Sequence, residues 1–257
     1  MLIHWRERTL LLAAAVFFAA PAIGAEIHVM ISGGFSAAYA ELVPQFERAT
    51  GHKVSTVRGA SMGTDVNALP VRLQRGEPAD VLILVGDALE ELAKGGHIAA
   101  GSRTDLARSE MGLAVRKGLP KPDIKTVDAF KRAMLDAKSV AISTSASGVY
   151  LANELFPQLG IAGEMKGKTR VVGVTGVVVA KGEADIAIQQ ISELLPVAGI
   201  DYVGPLPREI QKVTMFVAVL AAGAKEVDAA KALIGFLASP AAAPAIAKSA
   251  LEPVTSR

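Results

Sequence analysis

The chain has 257 residues, of which 51% are hydrophobic and 20% charged, and its 27 Lys and Arg side chains nearly balance 25 Asp and Glu. It carries no basic tract and no alternation of basic with aromatic residues, which excludes nucleic acid as a partner. Cysteine is absent, so a disulfide framework and thiol chemistry are excluded as well.

The first 25 residues have the three-part layout of a secretory signal peptide. Arg6 and Arg8 give a basic start, residues 10–20 form an unbroken apolar run, and small residues around Gly24 offer a cleavage site. A membrane anchor is the alternative, but the run is shorter than the ~20 residues that cross about 30 Å of hydrocarbon. We therefore expect an exported, periplasmic protein.

After residue 25, strand-like and helix-like segments alternate along the chain. The predicted strands are residues 27–31, 54–57, 80–85, 111–115, 140–142, 171–172, 186–188 and 213–220. The predicted helices are residues 35–46, 62–75, 88–94, 126–135, 149–159, 176–181, 227–237 and 241–250. The repeated strand–helix unit predicts an α/β protein with parallel sheets that helices cover.

Four predicted strand-to-helix junctions are rich in glycine and hydroxyl side chains: residues 32–36, 58–64, 143–148 and 174–176. In open parallel sheets, ligands bind where strand ends meet helix starts. Helix N-termini offer unpaired N–H groups and a partial positive charge, which suit an anion. Ser, Thr and Gly are also ordinary N-cap and turn residues, so each junction alone has a purely structural alternative. Four of them together predict a cleft for a small anion.

The sequence gives no sign of metal or nucleophile chemistry. His28, His52 and His97 are scattered and lack the spacing of metal ligands. The Gly-x-Ser-x-Gly pattern of serine hydrolases is absent. We expect neither a metal nor a cofactor.

Several segments resemble the periplasmic molybdate-binding proteins. They are residues 30–35 (MISGGF), 51–54 (GHKV), 76–83 (GEPADVLI), 147–150 (SGVY) and 182–186 (GEADI), of which 76–83 is the most specific. The resemblance covers essentially all of the chain after residue 25. It implies the class II periplasmic solute-binding fold, in which two α/β lobes are hinged around a cleft.

The same resemblance implies lobes that are discontinuous in sequence. One is expected to comprise residues 26–110 plus 212–257 and the other residues 113–205. Two strands, near residues 111–115 and 213–219, are expected to cross between the lobes, which would close on the ligand by a hinge.

Two departures from the molybdate-binding proteins bear on the ligand. Those proteins usually carry Ser where this chain has Gly34, and Tyr where it has Gln190, whereas Ser61 matches their second ligand loop. Amides donate and accept hydrogen bonds, and Arg58 is placed to clamp a carboxylate, although a solvated charge at a strand end is its alternative. The changes favour a polycarboxylate over tetrahedral molybdate or tungstate.

The predicted ligand-binding residues follow from the junctions and the resemblance together. They are Gly33, Gly34, Phe35, Arg58, Ser61, Met62, Ser145, Ser147, Gly148, Thr175, Gln189 and Gln190. Ser61 and residues 145–148 are expected to hold the anion from opposite lobes. Tyr150 opens a helix beside a ligand loop and is the candidate catalytic proton carrier, with simple packing as its alternative.

Three functions stay open at this stage. A solute receptor would deliver a small polycarboxylate to an ABC permease in the membrane. An aconitate isomerase, an enzyme that resembles the molybdate-binding proteins, would need a cleft for a tricarboxylate, a base, and N–H donors for the developing carbanion. The third function, binding molybdate or tungstate for an ABC transporter, is opposed by Gly34 and Gln190. In each case we expect a monomer acting on a small anionic ligand.

The expected signal peptide makes a direct prediction about the exported protein. Cleavage after Gly24 or Ala25 should leave a chain that begins at Ala25 or Glu26, because small residues precede those positions. Intact-mass analysis of periplasmic material measures this start. Full-length protein recovered only from the membrane fraction would contradict it.

Overall fold

The computed structural model describes residues 24–254, so nearly all of the predicted signal peptide lies outside the described residues. In chain order the strands are β1 (Glu26–Ile31), β2 (Lys53–Arg58), β3 (Val81–Val85), β4 (Thr104–Ser109), β5 (Met111–Arg116), β6 (Val140–Ser143), β7 (Thr169–Val172), β8 (Ile186–Gln190), β9 (Ile200–Pro205), β10 (Thr214–Leu220) and β11 (Glu252–Pro253). They form a six-stranded sheet of order β11-β4-β10-β3-β1-β2 and a five-stranded sheet of order β7-β6-β8-β5-β9. Each sheet with its helices is one lobe, called lobe I and lobe II here.

The helices in chain order are α1 (Ser36–Thr50), α2 (Leu69–Gln74), α3 (Leu89–Lys94), α4 (Val127–Asp136), α5 (Ala146–Tyr150), α6 (Phe156–Gln158), α7 (Ala162–Lys166), α8 (Thr175–Ala180), α9 (Ile191–Leu194), α10 (Val227–Leu237) and α11 (Ala243–Lys248). A 3₁₀ turn at Gly33–Phe35 leads directly into α1. A π-helical turn at Leu151–Leu155 joins α5 to α6, so that these three pieces form one continuous helix.

Within residues 24–254 no single helix is long and apolar enough to cross a membrane. The pair Val227–Leu237 and Pro240–Lys248 passes that test only when combined, across a bend of 57°. Both segments supply buried side chains to the core of lobe I, among them Leu233 and Ile246.

The predicted α/β class is confirmed, but the sheets are mixed rather than parallel. β1 runs parallel to β2 and β3, and β6 runs parallel to β7 and β8. In contrast, β10 is antiparallel to β3 and β4, and β5 is antiparallel to β8 and β9. Of these strands, β4 and β5 flank one passage of the chain between the lobes, and β9 and β10 flank the other.

The prediction that two strands cross between the lobes is wrong. β5 pairs within the five-stranded sheet and β10 within the six-stranded sheet. The chain instead passes from lobe I to lobe II at Glu110, between β4 and β5, and returns through residues 206–213. The sequence prediction missed β4, whose residues Thr-Asp-Leu-Ala-Arg-Ser carry only a short and mixed apolar pattern.

The predicted helix at residues 62–75 begins later than expected, at Leu69. Gly63 adopts a left-handed backbone with φ of +94°, which is incompatible with a right-handed helix running through this position. The Asp65 carboxylate accepts a hydrogen bond from the Asn67 N–H at 2.8 Å, and such a local turn competes with helix formation. Residues 61–68 are therefore a loop, which reaches the space between the lobes.

A buried carboxylate explains the most family-specific segment, residues 76–83. Asp80 is 2% exposed and accepts hydrogen bonds from the N–H groups of His28 at 2.8 Å, Lys225 at 2.7 Å and Glu226 at 3.1 Å. It therefore ties the start of β3 to β1 and to the start of α10. Asp185 has a similar task in lobe II, where it accepts from Lys138 and Ser139, but it is exposed.

This difference in burial makes a paired stability prediction. Asp80→Ala leaves buried N–H groups without an acceptor and should lower the free energy of unfolding by about 3 kcal/mol or more, since bonds to charged groups contribute about 1.5–3 kcal/mol each. Asp185→Ala should cost about 1 kcal/mol or less, because water replaces its bonds. Urea denaturation of both variants checks this, and equal losses would contradict it.

Candidate ligand-binding cavity

A cavity of about 400 Å³ lies between the lobes, a volume typical of sites for small molecules. Its walls come from the ends of β1, β2, β3, β6 and β8 and from the loops that follow them, as expected for ligands of α/β sheets. The lining residues are Ser32, Gly33, Gly34, Arg58, Gly59, Ala60, Asp65, Asn67, Val85, Thr144, Ser145, Ala146, Ser147, Gly173, Val174, Gln189, Gln190, Glu193 and Phe216.

Two helices direct their N-termini into this cavity from opposite lobes. The 3₁₀ turn Gly33–Phe35 and α1 start from Ser32 in lobe I, and α5 starts from Ser145 in lobe II. Neither Ser32 nor Ser145 caps its helix with a side-chain hydrogen bond. The first N–H groups of a helix lack intrahelical acceptors and carry partial positive charge. The cavity is therefore suited to anionic groups at both ends.

Gly33 and Gly34 lie directly against side chains from other parts of the cavity. A Cβ on Gly33 would lie 2.1 Å from Oε1 of Glu193, and a Cβ on Gly34 would lie 2.2 Å from Cζ of Phe216. The Ser that the molybdate-binding proteins usually carry at position 34 therefore has no room here. Phe216 fills the space that such a side chain would need.

Seven of the predicted ligand-binding residues line the cavity: Gly33, Gly34, Arg58, Ser145, Ser147, Gln189 and Gln190. Arg58 ends β2 and is exposed. Phe35, Ser61, Met62, Gly148 and Thr175 are not among the lining residues. Phe35 belongs to the buried core of lobe I, and Met62 packs against that core. Gly148 packs against the strand before it, where a Cβ would lie 1.7 Å from the Ser143 carbonyl oxygen.

Two serines at the predicted junctions differ in what their hydroxyls contact. Ser61 is fully buried, and its Oγ accepts a hydrogen bond from the Val85 N–H at 3.1 Å. Ser32 is also buried and lines the cavity, but its Oγ has no hydrogen-bond partner within residues 24–254. A buried hydroxyl without a partner is unfavourable by about 1–3 kcal/mol. Ser32 is thus the hydroxyl in this cavity that most needs a ligand atom.

Thr175 and Gln189 form a fixed pair beside the cavity. The N–H and the hydroxyl of Thr175 both donate to Oε1 of Gln189, at 2.9 and 2.8 Å. These two bonds set the direction of the amide, so that its Nε2 donates to the Gly173 carbonyl oxygen at 3.3 Å and reaches the Glu193 carboxyl. Thr175 therefore acts on the cavity through Gln189.

Gln190 connects the two lobes behind the cavity. Its Oε1 accepts from the Ser109 hydroxyl at 2.7 Å, and its Nε2 donates to the Thr214 hydroxyl at 3.1 Å. Ser109 ends β4 and Thr214 begins β10, so both partners belong to lobe I. The oxygen and the nitrogen of the Gln190 amide are thus both engaged in a contact between the lobes.

Tyr150 is not brought into the cavity. Its hydroxyl donates to the Ile210 carbonyl oxygen at 3.0 Å, and the Lys212 ammonium lies 5.2 Å from the centre of its ring. Burial raises the pKa of Tyr150, and the nearby Glu154 carboxylate adds to this increase. Both the position and the direction of the pKa shift are unfavourable for a base.

Glu193 is the ionisable residue of the cavity that the sequence analysis missed. It lies in the four-residue helix α9, half-buried, with Oε1 against the backbone of Gly33. Burial raises the pKa of Glu193 to about 7, although the hydrogen bond from Gln189 lowers it in part. The β8-to-α9 connection is a fifth strand-to-helix junction at the same edge of the sheet. The place of Glu193 just after this junction was the signal in the sequence that could have identified it.

Other charged groups near the cavity are few. Arg58, Asp65 and Glu193 are the ionisable side chains that line it. Within the described part of the chain, no three His, Asp or Glu side chains are grouped so as to hold a metal ion. The cavity therefore offers N–H groups, hydroxyls, the Arg58 guanidinium, the Asp65 carboxyl and the Glu193 carboxyl, whose pKa is raised.

Comparison with known proteins assigns this architecture to a family. The chain is 43% identical to an aconitate isomerase of Pseudomonas sp. over 255 residues, 97% of either chain, and 27% identical to the molybdate-binding protein ModA of Azotobacter vinelandii over 246 residues, 92% of this chain and 93% of that one. The solved periplasmic molybdate-binding protein of Azotobacter vinelandii superposes with a TM-score of 0.69 at 20% identity, covering 90% of this chain and all of that one. The profile of the bacterial extracellular solute-binding proteins matches residues 27–251, and the chain belongs to this family.

Proposed function

We propose that the protein is an aconitate isomerase, which shifts the double bond between cis- and trans-aconitate in the cavity between its lobes. The observation that carries this proposal is the 43% identity to an aconitate isomerase along 97% of both chains. The identity to a molybdate-binding protein is lower, at 27%. The full-length match includes both lobes and all the junctions that form the cavity.

The distribution of donors in the cavity supports a ligand with several separated carboxylates. Helix N-termini from opposite lobes face the space, and the Arg58 guanidinium is at the end of β2. A guanidinium binds a carboxylate in a bidentate manner, and helix N–H groups stabilise a second one. A tetrahedral oxyanion would lack one of the hydroxyls expected to surround it, because position 34 is glycine and Phe216 occupies the space of a side chain there.

The reaction needs few components, and the cavity supplies them. A methylene proton next to the central carbon is removed, the charge spreads over the allylic system to a carboxylate, and a proton returns at the far carbon. N–H groups that hold the carboxylate stabilise this developing charge. Several of the lining side chains, among them Ser147 and Gln189, are buried, and burial strengthens their interactions with a charged ligand.

We place this activity in the periplasm. Support comes from the layout of residues 1–25 and from the periplasmic protein of similar fold in Azotobacter vinelandii. A receptor that passes a small anion to an ABC permease is the second candidate function, because the family consists of extracellular solute-binding proteins.

Isomerisation is tested directly by proton NMR of the purified protein with cis-aconitate in deuterated water. We expect the trans isomer to accumulate, because the allylic proton shift interconverts the two. The protein heated beforehand is the control. Tight binding without conversion over many hours would support the receptor instead.

A thermal-shift series with molybdate, tungstate, sulfate, citrate and both aconitates identifies the class of ligand, since a ligand at 100 times its Kd adds about 2.7 kcal/mol of stability. Preference for molybdate over both aconitates would contradict the proposal.

The contrast between Ser32 and Ser61 gives a matched pair of variants. Ser32→Ala should weaken aconitate binding about tenfold or more and raise the melting temperature of the free protein, because it removes a buried hydroxyl that has no protein partner within residues 24–254. Ser61→Ala should lower the stability by about 1 kcal/mol, through loss of the bond from Val85, with affinity changed less than threefold. Calorimetric titration and thermal melts measure both. Unchanged affinity in Ser32→Ala would place the ligand elsewhere.

A further inference from the structure

Glu193 is held against a glycine backbone of the opposite lobe. Its Oε1 occupies the space beside the Gly33 Cα where any other residue would place a Cβ. The neighbouring Ser192 hydroxyl donates to the Gly34 carbonyl oxygen at 2.7 Å, which fixes α9 on the 3₁₀ turn Gly33–Phe35. The carboxyl is therefore positioned by both lobes, at the N-terminus that is suited to a substrate carboxylate.

The Gln189 amide is a hydrogen-bond donor of fixed orientation beside the Glu193 carboxyl. Because Thr175 donates twice to Oε1 of Gln189, the Gln189 amide can offer only N–H groups to its other neighbours. One of these N–H groups serves the Glu193 carboxyl. The carboxyl is thereby oriented while it retains lone pairs for the cavity.

No cation neutralises Glu193 from the elements that pack on α9. The turn Gly33–Phe35, β8 and α8 carry no ionisable side chain, and β5 carries only Arg116, at its far end. Glu110 precedes β5, and its backbone oxygen accepts from the Ile191 N–H. Behind α9, Glu41 and Lys248 line a separate crevice and pair with each other at 2.9 Å. Among the described residues that line the cavity, the other charged side chains are those of Arg58 and Asp65.

We infer that Glu193 is the catalytic residue that takes the methylene proton of aconitate, with Gln189 and Thr175 as positioning residues. This inference rests on the proposed function. The methylene C–H bond breaks, its proton bonds to a Glu193 carboxylate oxygen, and its electron pair moves into the allylic system. Protonated Glu193 is then an acid that delivers a proton to the far carbon, where the new C–H bond forms. The double bond moves to the former methylene carbon, and no oxidant or other reactant is required.

The test compares Glu193→Gln with Glu164→Gln, a variant of an exposed carboxylate on α7 in the same lobe. Glu193→Gln should lower kcat by about 10²–10⁴-fold, the contribution typical of a positioned base. It should bind aconitate at least as tightly as wild type in thermal-shift titrations, because a group that repels the anion is removed. Glu164→Gln should retain wild-type kcat. A Glu193→Gln protein that keeps more than a tenth of wild-type kcat overturns the role of Glu193 and leaves the proposed function intact. A wild-type protein without isomerase activity overturns both.

The pH profile of the wild-type enzyme is an independent readout. The base is the carboxylate form, so kcat/KM should fall as the pH decreases through the pKa of Glu193, which is about 7 in the free protein. A profile that is flat from pH 5 to pH 8 overturns the inference, even if Glu193→Gln fails to fold. Thr175→Val should displace this profile and lower kcat with little change in KM, and Thr175→Ser should restore both. An unchanged profile in Thr175→Val would remove Thr175 and Gln189 from the positioning role.

Discussion

The buried side chain of Gln190 holds the two lobes in register. It accepts from Ser109 and donates to Thr214, on the two lobe I strands that flank the passages of the chain between the lobes. If these hydrogen bonds broke while the groups stayed buried, each unpaired polar atom would cost about 1–3 kcal/mol of stability. This side of the cleft is therefore fixed, and it sets how α9 approaches lobe I. The bond from Ser192 to Gly34 and the place of Glu193 against Gly33 both follow from this approach.

The cavity combines groups that attract anions with a carboxyl that repels them. Helix N-termini from both lobes favour negative charge, whereas Glu193, when ionised, opposes it. A bound polyanion raises the pKa of such a carboxyl further, since like charges disfavour ionisation. A receptor for anions gains nothing from this arrangement. An enzyme that removes a carbon-bound proton does, because a carboxylate enclosed with little neutralising charge is a stronger base than one in water.

The sequence predicts the elements better than it predicts their pairing or the site. Helix α10 has the bounds that its apolar spacing predicts, residues 227–237, whereas the direction of β10 depends on partners distant in the chain. At the site, glycine and serine patterns located the junctions, but a hydroxyl at a junction serves equally well as an acceptor for a backbone N–H, as Ser61 does for Val85. Glu193 was missed because its burial depends on a turn of the other lobe, and its neighbour Ser192 contacts Gly34 across 158 positions of the chain.

The contact between Gly34 and Phe216 has a consequence for how binding preferences change during evolution. Because a Cβ at position 34 would lie 2.2 Å from the Phe216 ring, a serine can return there only after, or together with, a smaller residue at position 216. A smaller residue at 216 by itself opens a cavity in the lobe I core, which costs about 3–5 kcal/mol for Phe→Ala. Each single step is thus unfavourable while the double change is sterically consistent. Positions 34 and 216 therefore act as one unit, and the shape of the cavity at this point can change only when both residues change together.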